Sequence, residues 1–142
     1  MKPGVTAAAR ILLGIVFSAF GLNGFLHLFP LPSMDGKEAR FIGGLVASGY
    51  FFPLLFVTYT ITGAALLSGR FVPLALIVLA PIIVNIVCIH VFLAPSGYPL
   101  TLLVVGLALF LAWTYRDAFR PVLRARGDGA WAEAPRMGGA PQ

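Results

Sequence analysis

Five polar side chains stand inside otherwise apolar stretches of this 142-residue chain, and they are the groups best suited to chemistry. Histidine can take up or release a proton near neutral pH. Asparagine can orient a carbonyl by donating hydrogen bonds, and a tyrosine hydroxyl can donate or accept them. The residues that we predict to line one polar, substrate-binding pocket are Asn23, His27, Tyr59, Asn85 and His90.

The longest uncharged run, from residue 71 to residue 115, defines the environment of this set. It is long enough for two membrane helices, which need about 20 apolar residues each. Two prolines and a glycine at residues 94–99 predict a turn between them. The whole chain is 59% hydrophobic and 11% charged, whereas a soluble domain carries about 25% charged residues. The sequence therefore predicts a single-domain membrane protein whose main partner is the lipid bilayer.

The predicted fold class is all-α, a membrane-spanning four-helix bundle with a short interfacial helix between spans one and two. Glycines interrupt the second uncharged run, so we expect an interfacial or re-entrant helix at residues 39–48. Residues 1–121 form the four-span domain, and residues 122–142 form a basic cytoplasmic tail, disordered because Gly, Ala and Pro dominate from Gly127. The four spans are expected at residues 9–29, 51–68, 71–92 and 100–115.

Small residues form a stripe along the first span. Gly14, Ser18 and Gly21 follow each other at spacings of four and three, so they lie on one helix face. Small side chains allow two membrane helices to approach closely. The stripe therefore predicts a close helix–helix contact of span one.

The distribution of basic residues predicts the orientation. The positive-inside rule places the side with more Lys and Arg in the cytoplasm. Lys37 and Arg40 lie on the opposite side, so both termini are expected in the cytoplasm of a bacterial inner membrane. The net charge of +5 does not indicate nucleic-acid binding, because these residues lie at helix ends and in the tail. The cytoplasmic side holds Lys2, Arg10, Arg70, Arg116, Arg120, Arg124, Arg126 and Arg136.

This topology brings the candidate residues to related depths. His27 and His90 would each lie near the outer end of a span. At about 1.5 Å per residue, Asn23 lies about 6 Å deeper than His27, and Asn85 about 7.5 Å deeper than His90. Tyr59 falls at a depth similar to that of the asparagines. We therefore expect one polar pocket that opens to the outer side, because intramembrane polar residues usually face the bundle interior.

Plainer roles for the same residues stay open. The asparagines could only join helices by hydrogen bonds, and the histidines could anchor the chain near the headgroups. Two histidines alone specify no metal, so no metal site is predicted. Cys88 is the single cysteine, which excludes an internal disulfide, and it fits an apolar filler. The spans hold no carboxylate, which argues against a transporter that uses an Asp or Glu proton relay.

Six blocks of the chain carry a resemblance to a known family. They are Arg10-Ile-Leu-Leu-Gly14, Phe20-Gly-Leu-Asn23-Gly-Phe25-Leu-His27, Gly49-Tyr-Phe-Phe-Pro53, Gly63-Ala-Ala-Leu-Leu-Ser-Gly-Arg-Phe-Val-Pro73-Leu, Ala80-Pro-Ile-Ile-Val-Asn85-Ile-Val-Cys-Ile-His90 and Tyr115-Arg116-Asp-Ala-Phe119-Arg-Pro121. In the order and spacing of their Gly, Pro, Asn and His residues, they resemble the DoxX family of integral membrane proteins. They cover nearly everything from Arg10 to Pro121.

The resemblance implies a four-helix protein of the bacterial inner membrane. The founding member of the family is linked to a thiosulfate:quinone oxidoreductase, and relatives are linked to membrane redox complexes. By this resemblance, four residues are expected to be functional: Asn23, His27, Asn85 and His90. The chain departs from the pattern at Tyr59, where many relatives have an acidic residue, and near Ala108, where some have a glutamate. Quinone chemistry would then need His or Tyr, or an acid on another subunit, as its acid–base partner.

Our leading hypothesis is a small redox-associated membrane protein, a quinone-interacting subunit of an oxidoreductase complex that works beside a partner redox subunit. In it, Asn23 and Asn85 orient a carbonyl while His27 or His90 exchanges a proton. The alternatives are a non-enzymatic membrane scaffold or subunit and a transporter of small solutes. Quinone is the one cofactor that this hypothesis implies.

Overall fold

A computed structural model describes residues 3–30, 33–93 and 98–120 of the chain. Within these residues the regular secondary structure is entirely helical, which confirms the predicted all-α class. Residues 94–97 of the predicted turn, and the predicted tail at residues 122–142, lie outside this part. The helices are α1 (Pro3–Leu26), α2 (Gly36–Ala47), α3 (Phe51–Ser68), α4 (Val72–Phe92), α5 (Tyr98–Thr114) and α6 (Arg116–Phe119).

Three helices, α1, α3 and α4, are long and apolar enough to cross a bilayer, and α5 is a shorter apolar helix of 17 residues. Their outer faces remain apolar. Leu102 and Leu109 on α5, for example, are 68% and 66% exposed. Contiguous apolar surface of this extent is rare on soluble proteins and marks contact with a membrane or a partner. The apolar helices therefore indicate contact with a lipid bilayer.

The closest helix pair is α1 with α3, and small residues make the contact. A Cβ added to Gly63 would lie 2.6 Å from the backbone nitrogen of Ser18 and 3.0 Å from the carbonyl oxygen of Gly14. A Cβ added to Gly21 would lie 2.7 Å from the backbone nitrogen of Thr60. The Gly14, Ser18, Gly21 stripe thus faces α3, and the close contact expected from it is present. Because no side chain separates them, the two backbones gain dispersion contacts along their length.

α4 and α5 link the four apolar helices into a ring of neighbouring pairs. α5 packs against α1 and α4, and α4 packs against α3. Side chains from all four helices form the apolar core, of which Leu13, Leu66, Leu79 and Leu111 have no exposed surface.

Arg10 and Gly69 define one end of the molecule. Gly69 ends α3 in the left-handed conformation, with φ of 73°, which glycine adopts without steric cost. A Cβ at Gly69 would collide with the guanidinium group of Arg10 from α1. The guanidinium group therefore covers the carboxyl end of α3, where the helix dipole favours a positive charge.

α2 lies at the opposite end of the molecule, which we call the α2 end. Among its residues Glu38, Ala39, Ile42 and Leu45 are partly covered, at the three- and four-residue spacing of one helix face, and the rest are exposed. This pattern is that of an amphipathic helix at a surface. The helix begins three residues before the predicted start at residue 39, so Glu38 belongs to its first turn.

Candidate functional site

A cavity of about 420 Å³ lies between the long helices, in their halves nearest the α2 end. α1, α3, α4 and α5 all contribute to its wall. Ser33, Met34 and Glu38, from the segment that leads into α2 and from α2 itself, cover it. Its apolar wall is formed by Val16, Phe17, Phe20, Ile86, Leu100 and Val104.

His90 is one of the polar groups in this wall, near the end of α4. Its Nδ1 lies 2.8 Å from the carbonyl oxygen of Ile86, one turn earlier. Because a carbonyl oxygen can only accept, Nδ1 must carry the proton of this hydrogen bond. In the neutral ring Nε2 then keeps its lone pair, and it makes no hydrogen bond to any residue that the structure describes. His90 therefore presents a fixed tautomer with a proton acceptor available.

Tyr59 projects from the middle of α3 into the same wall. Its ring packs edge-on against Phe17 of α1, with centroids 5.2 Å apart and planes at 62°. Its hydroxyl makes no hydrogen bond within residues 3–30, 33–93 and 98–120. In the same residues, every polar side-chain atom that is fully buried has a hydrogen-bond partner. The hydroxyl must then retain some accessible surface, and the cavity provides it. The aromatic contact fixes the ring, so the hydroxyl has a defined place.

Glu38 brings a carboxylate to the cover of the cavity. It is the third residue of α2, where the helix dipole stabilises a negative charge. It forms no ion pair among the residues described. Thr101, in the first turns of α5, adds a hydroxyl to the wall and is 7% exposed. The cavity thus combines a long apolar wall with an imidazole, a phenol, a carboxylate and a hydroxyl.

Asn23 does not line this cavity; it caps the end of α1. Its side chain is 4% exposed, and its Oδ1 accepts a hydrogen bond of 2.8 Å from the backbone N–H of Phe29. Its carbonyl oxygen accepts from the backbone N–H of His27 at 2.9 Å. One residue thus satisfies two backbone donors beyond the helix, which is a structural role.

Asn23→Ala is expected to destabilise the protein by about 1–3 kcal/mol, because it leaves the Phe29 N–H without its acceptor in a covered site. The thermal midpoint of the purified protein in detergent, followed by circular dichroism, measures this. Ligand binding in the cavity should be retained at temperatures below that midpoint. An unchanged midpoint would show that the cap contributes nothing.

His27 also lies away from the cavity. It follows the last residue of α1 in the left-handed conformation, with φ of 50°, and its side chain is exposed. Asn85 is exposed on the outer face of α4, although Ile86 and His90 of the same helix reach the cavity. Of the five residues expected to share one pocket, the structure brings together Tyr59 and His90, and it separates Asn23, His27 and Asn85 from them.

Two groups of the site are absent from the sequence-based set. The sequence places Glu38 in a loop, because it predicts the interfacial helix only from residue 39. The spacing of Glu38, Ile42 and Leu45 on one face is the signal that could have found it. Thr101 carried no signal, since a single threonine in an apolar helix is commonplace.

The hydroxyl-rich middle of α3 is not a second site. The side chains of Thr58, Thr60 and Thr62 donate to the carbonyl oxygens four residues earlier, at 2.8, 2.8 and 2.6 Å. Within the residues that the structure describes, no group of three or more His, Cys, Asp or Glu side chains could hold a metal ion.

Comparisons with known proteins do not extend this description. No family model, curated protein or solved structure matches the chain. The class that fold and site define is a helical protein with membrane-spanning character and a largely apolar internal cavity.

Proposed function

We propose that the chain is a DoxX-type protein of the bacterial inner membrane that binds a quinone in the cavity. In this proposal α1, α3, α4 and α5 span the bilayer as a four-helix bundle. Arg10 and the turn at Arg70 lie at one end, and Lys37 and Arg40 of α2 lie at the other. The positive-inside rule then favours cytoplasmic termini and an α2 end on the outer side.

The observation that carries the proposal is the cavity itself. A cavity of about 420 Å³ with an apolar wall and a few polar groups at fixed places is typical of small-molecule sites. Its neighbours are lipid-facing helices, so an apolar ligand dissolved in the bilayer has direct access. A quinone fits this chemistry, because its ring and isoprenoid chain are apolar and its two carbonyl oxygens accept hydrogen bonds.

The residues of the cavity fit such a ligand. The Tyr59 hydroxyl has no partner among the described residues and can donate to a carbonyl oxygen. The Nε2 of His90 can hold or release a proton, while its Nδ1 contact with Ile86 keeps the ring oriented. Glu38 lies in the cover of the cavity, where its carboxylate can accept a hydrogen bond. A bound quinone would supply the electron-accepting chemistry, and it takes up two protons with two electrons.

A partner redox subunit completes the proposal, since the electrons must come from a donor. The exposed apolar faces and the amphipathic α2 offer the surface on which such a subunit could assemble. A protein that only holds other subunits together would use the same surfaces but would not need the cavity. The two functions therefore differ in whether the cavity binds a quinone.

Extraction of the purified protein with organic solvent, followed by mass spectrometry, tests the proposal. We expect about one quinone per chain in the parent and a loss of at least tenfold in a Tyr59→Phe/His90→Leu variant, because both polar contacts are removed. His27→Asn is the matched control: it removes the other histidine, outside the cavity, and asparagine tolerates the left-handed backbone.

Samples that carry no quinone are titrated with a short-chain benzoquinone in detergent. Equal binding by parent and double variant, or none by either, would contradict a quinone site in this cavity. A membrane scaffold would then be the better function, and proteins that co-purify would identify its partners.

A further inference from the structure

The outer face of α4 carries a stripe of exposed residues that no part of the described chain covers. Its members are spaced alternately four and three residues apart, the heptad spacing at which two helices pack side by side. The stripe consists of Leu74, Val78, Pro81, Asn85, Cys88 and Phe92.

Asn85 makes this face unlike an ordinary lipid-facing surface. It lies well inside the 21-residue apolar helix Val72–Phe92, seven residues before its end. Its amide is exposed and makes no hydrogen bond to any residue that the structure describes. Lipid tails offer neither donor nor acceptor, so intramembrane polar side chains almost always face protein. Asn85 therefore indicates a partner that covers this face.

We propose that the partner is a second copy of this chain, paired through the α4 stripe about a two-fold axis along the membrane normal. Two copies in one bilayer have the same orientation, so each residue meets its own counterpart at the same depth. A carboxamide is both donor and acceptor, so two Asn85 side chains satisfy each other. A single asparagine at such a position is also the feature that fixes register and copy number in two-stranded coiled coils.

The surface beside the stripe fits this arrangement. A groove of about 340 Å³ runs between α3 and α4, and Leu74 and Val78 of the stripe form part of its wall. Phe71, 69% exposed, lies at the end of the same groove. Apolar side chains of a second copy can enter this groove, so the contact extends beyond a single line of residues. The α4 residues that line the cavity with Tyr59 are Ile86 and His90, which are not part of the stripe.

Cys88 allows a direct test, since it is the single cysteine of the chain and the next stripe position after Asn85. Any disulfide that forms must join two chains, and it requires Cα atoms within about 7 Å. Membranes that contain the parent protein are treated with a mild oxidant, and in parallel with a short bis-maleimide. We expect covalent dimers in the parent and at least a fivefold lower yield in Asn85→Leu.

A matched control moves the cysteine to an exposed position on another helix, in a Cys88→Ser/Leu109→Cys variant. This variant should give no more than background crosslinking, because Leu109 lies on α5. Light scattering in mild detergent should give twice the 15.1 kDa chain mass for the parent and the monomer mass for Asn85→Leu. Circular dichroism checks that Asn85→Leu keeps its helices, as expected for a change on the outer face.

Crosslinking that is absent in the parent with both reagents would overturn the proposal. So would a yield that is unchanged in Asn85→Leu, a control that crosslinks equally well, or a mass of one or of three chains. If a different protein or a lipid covers this face instead, the purified parent protein would be monomeric.

Discussion

Gly63→Leu is expected to destabilise the protein strongly, because it disrupts the packing of α1 against α3. Gly63 lies where α3 crosses α1, and the first atom of any side chain there would collide with the hydroxyl and the backbone nitrogen of Ser18. The carbonyl oxygen of Gly14, one turn earlier on α1, lies 3.0 Å from that atom. Two of these three obstacles are backbone atoms, so no change of rotamer relieves the overlap.

The free-energy cost follows from the nature of the contact. Overpacking of an adaptable core costs about 1–3 kcal/mol, and here the helices themselves must separate. Separation also loses the dispersion contacts that drive helix association in a membrane. We expect Gly63→Leu to lose at least about 3 kcal/mol, a large part of a typical stability of about 5–15 kcal/mol. Gly63→Ala should show a smaller loss in the same direction.

Thermal unfolding in detergent, followed by near-ultraviolet circular dichroism and by size-exclusion chromatography, measures these changes. Gly106→Leu is the matched control, because a Cβ at Gly106 on α5 has no atom within 4 Å among the residues described. It adds the same leucine to a helix that lies next to lipid. A Gly63→Leu protein that melts like Gly106→Leu would show that α1 and α3 do not pack as closely as described.

The helices were largely predictable because they depend on composition along the chain. α3 has the predicted bounds of residues 51–68, since tight turns with glycine border it on both sides. The contact of α1 with α3 was predictable for a similar reason: small residues spaced four and three apart define a face without any knowledge of the partner. That this face meets Gly63 and Thr60 of α3 could be learned only from the three-dimensional structure.

The site was less predictable, because depth along a helix does not determine which way a side chain points. Asn85 and His90 were placed at suitable depths, yet a rotation of about 140° separates them, and only His90 reaches the cavity. Asn23 has the right depth and is buried, but it hydrogen-bonds to the backbone beyond its own helix. A sequence pattern cannot distinguish an amide that binds a ligand from an amide that caps a helix.

Glu38 changes the chemistry that the chain can perform by itself. The apolar spans contain no carboxylate, which leaves His or Tyr, or an acid on another subunit, as the acid–base partner expected from the sequence. The amphipathic α2 instead supplies one from outside the spans, at the cover of the cavity. Glu38 lies at the cover of the cavity, whereas His90 and Tyr59 lie between the helices. In the proposed quinone site, the carboxylate and the two groups placed to contact the ligand therefore belong to different elements.

Val16→Trp is expected to abolish quinone binding without unfolding the protein. Val16 is a partly covered residue of α1 in the cavity wall, next to the Phe17 that holds Tyr59. An indole at this place occupies space that the quinone ring needs within a volume of about 420 Å³. Val16 packs against the apolar core and also lines the cavity, so we expect the indole to be accommodated on the cavity side. We expect the bound quinone to fall at least tenfold, which corresponds to about 1.4 kcal/mol or more of binding free energy.

Ile15→Trp provides the matched control for this variant. Ile15 is the preceding residue of α1, 52% exposed on the outer face, where an indole meets lipid and leaves the cavity unchanged. Both variants are extracted and titrated with the same short-chain benzoquinone, and their thermal midpoints should lie close to that of the parent. Retention of quinone by a well-folded Val16→Trp protein would place the ligand outside this cavity. Equal loss in Ile15→Trp would attribute the effect to the added tryptophan on α1 and not to the filling of the site.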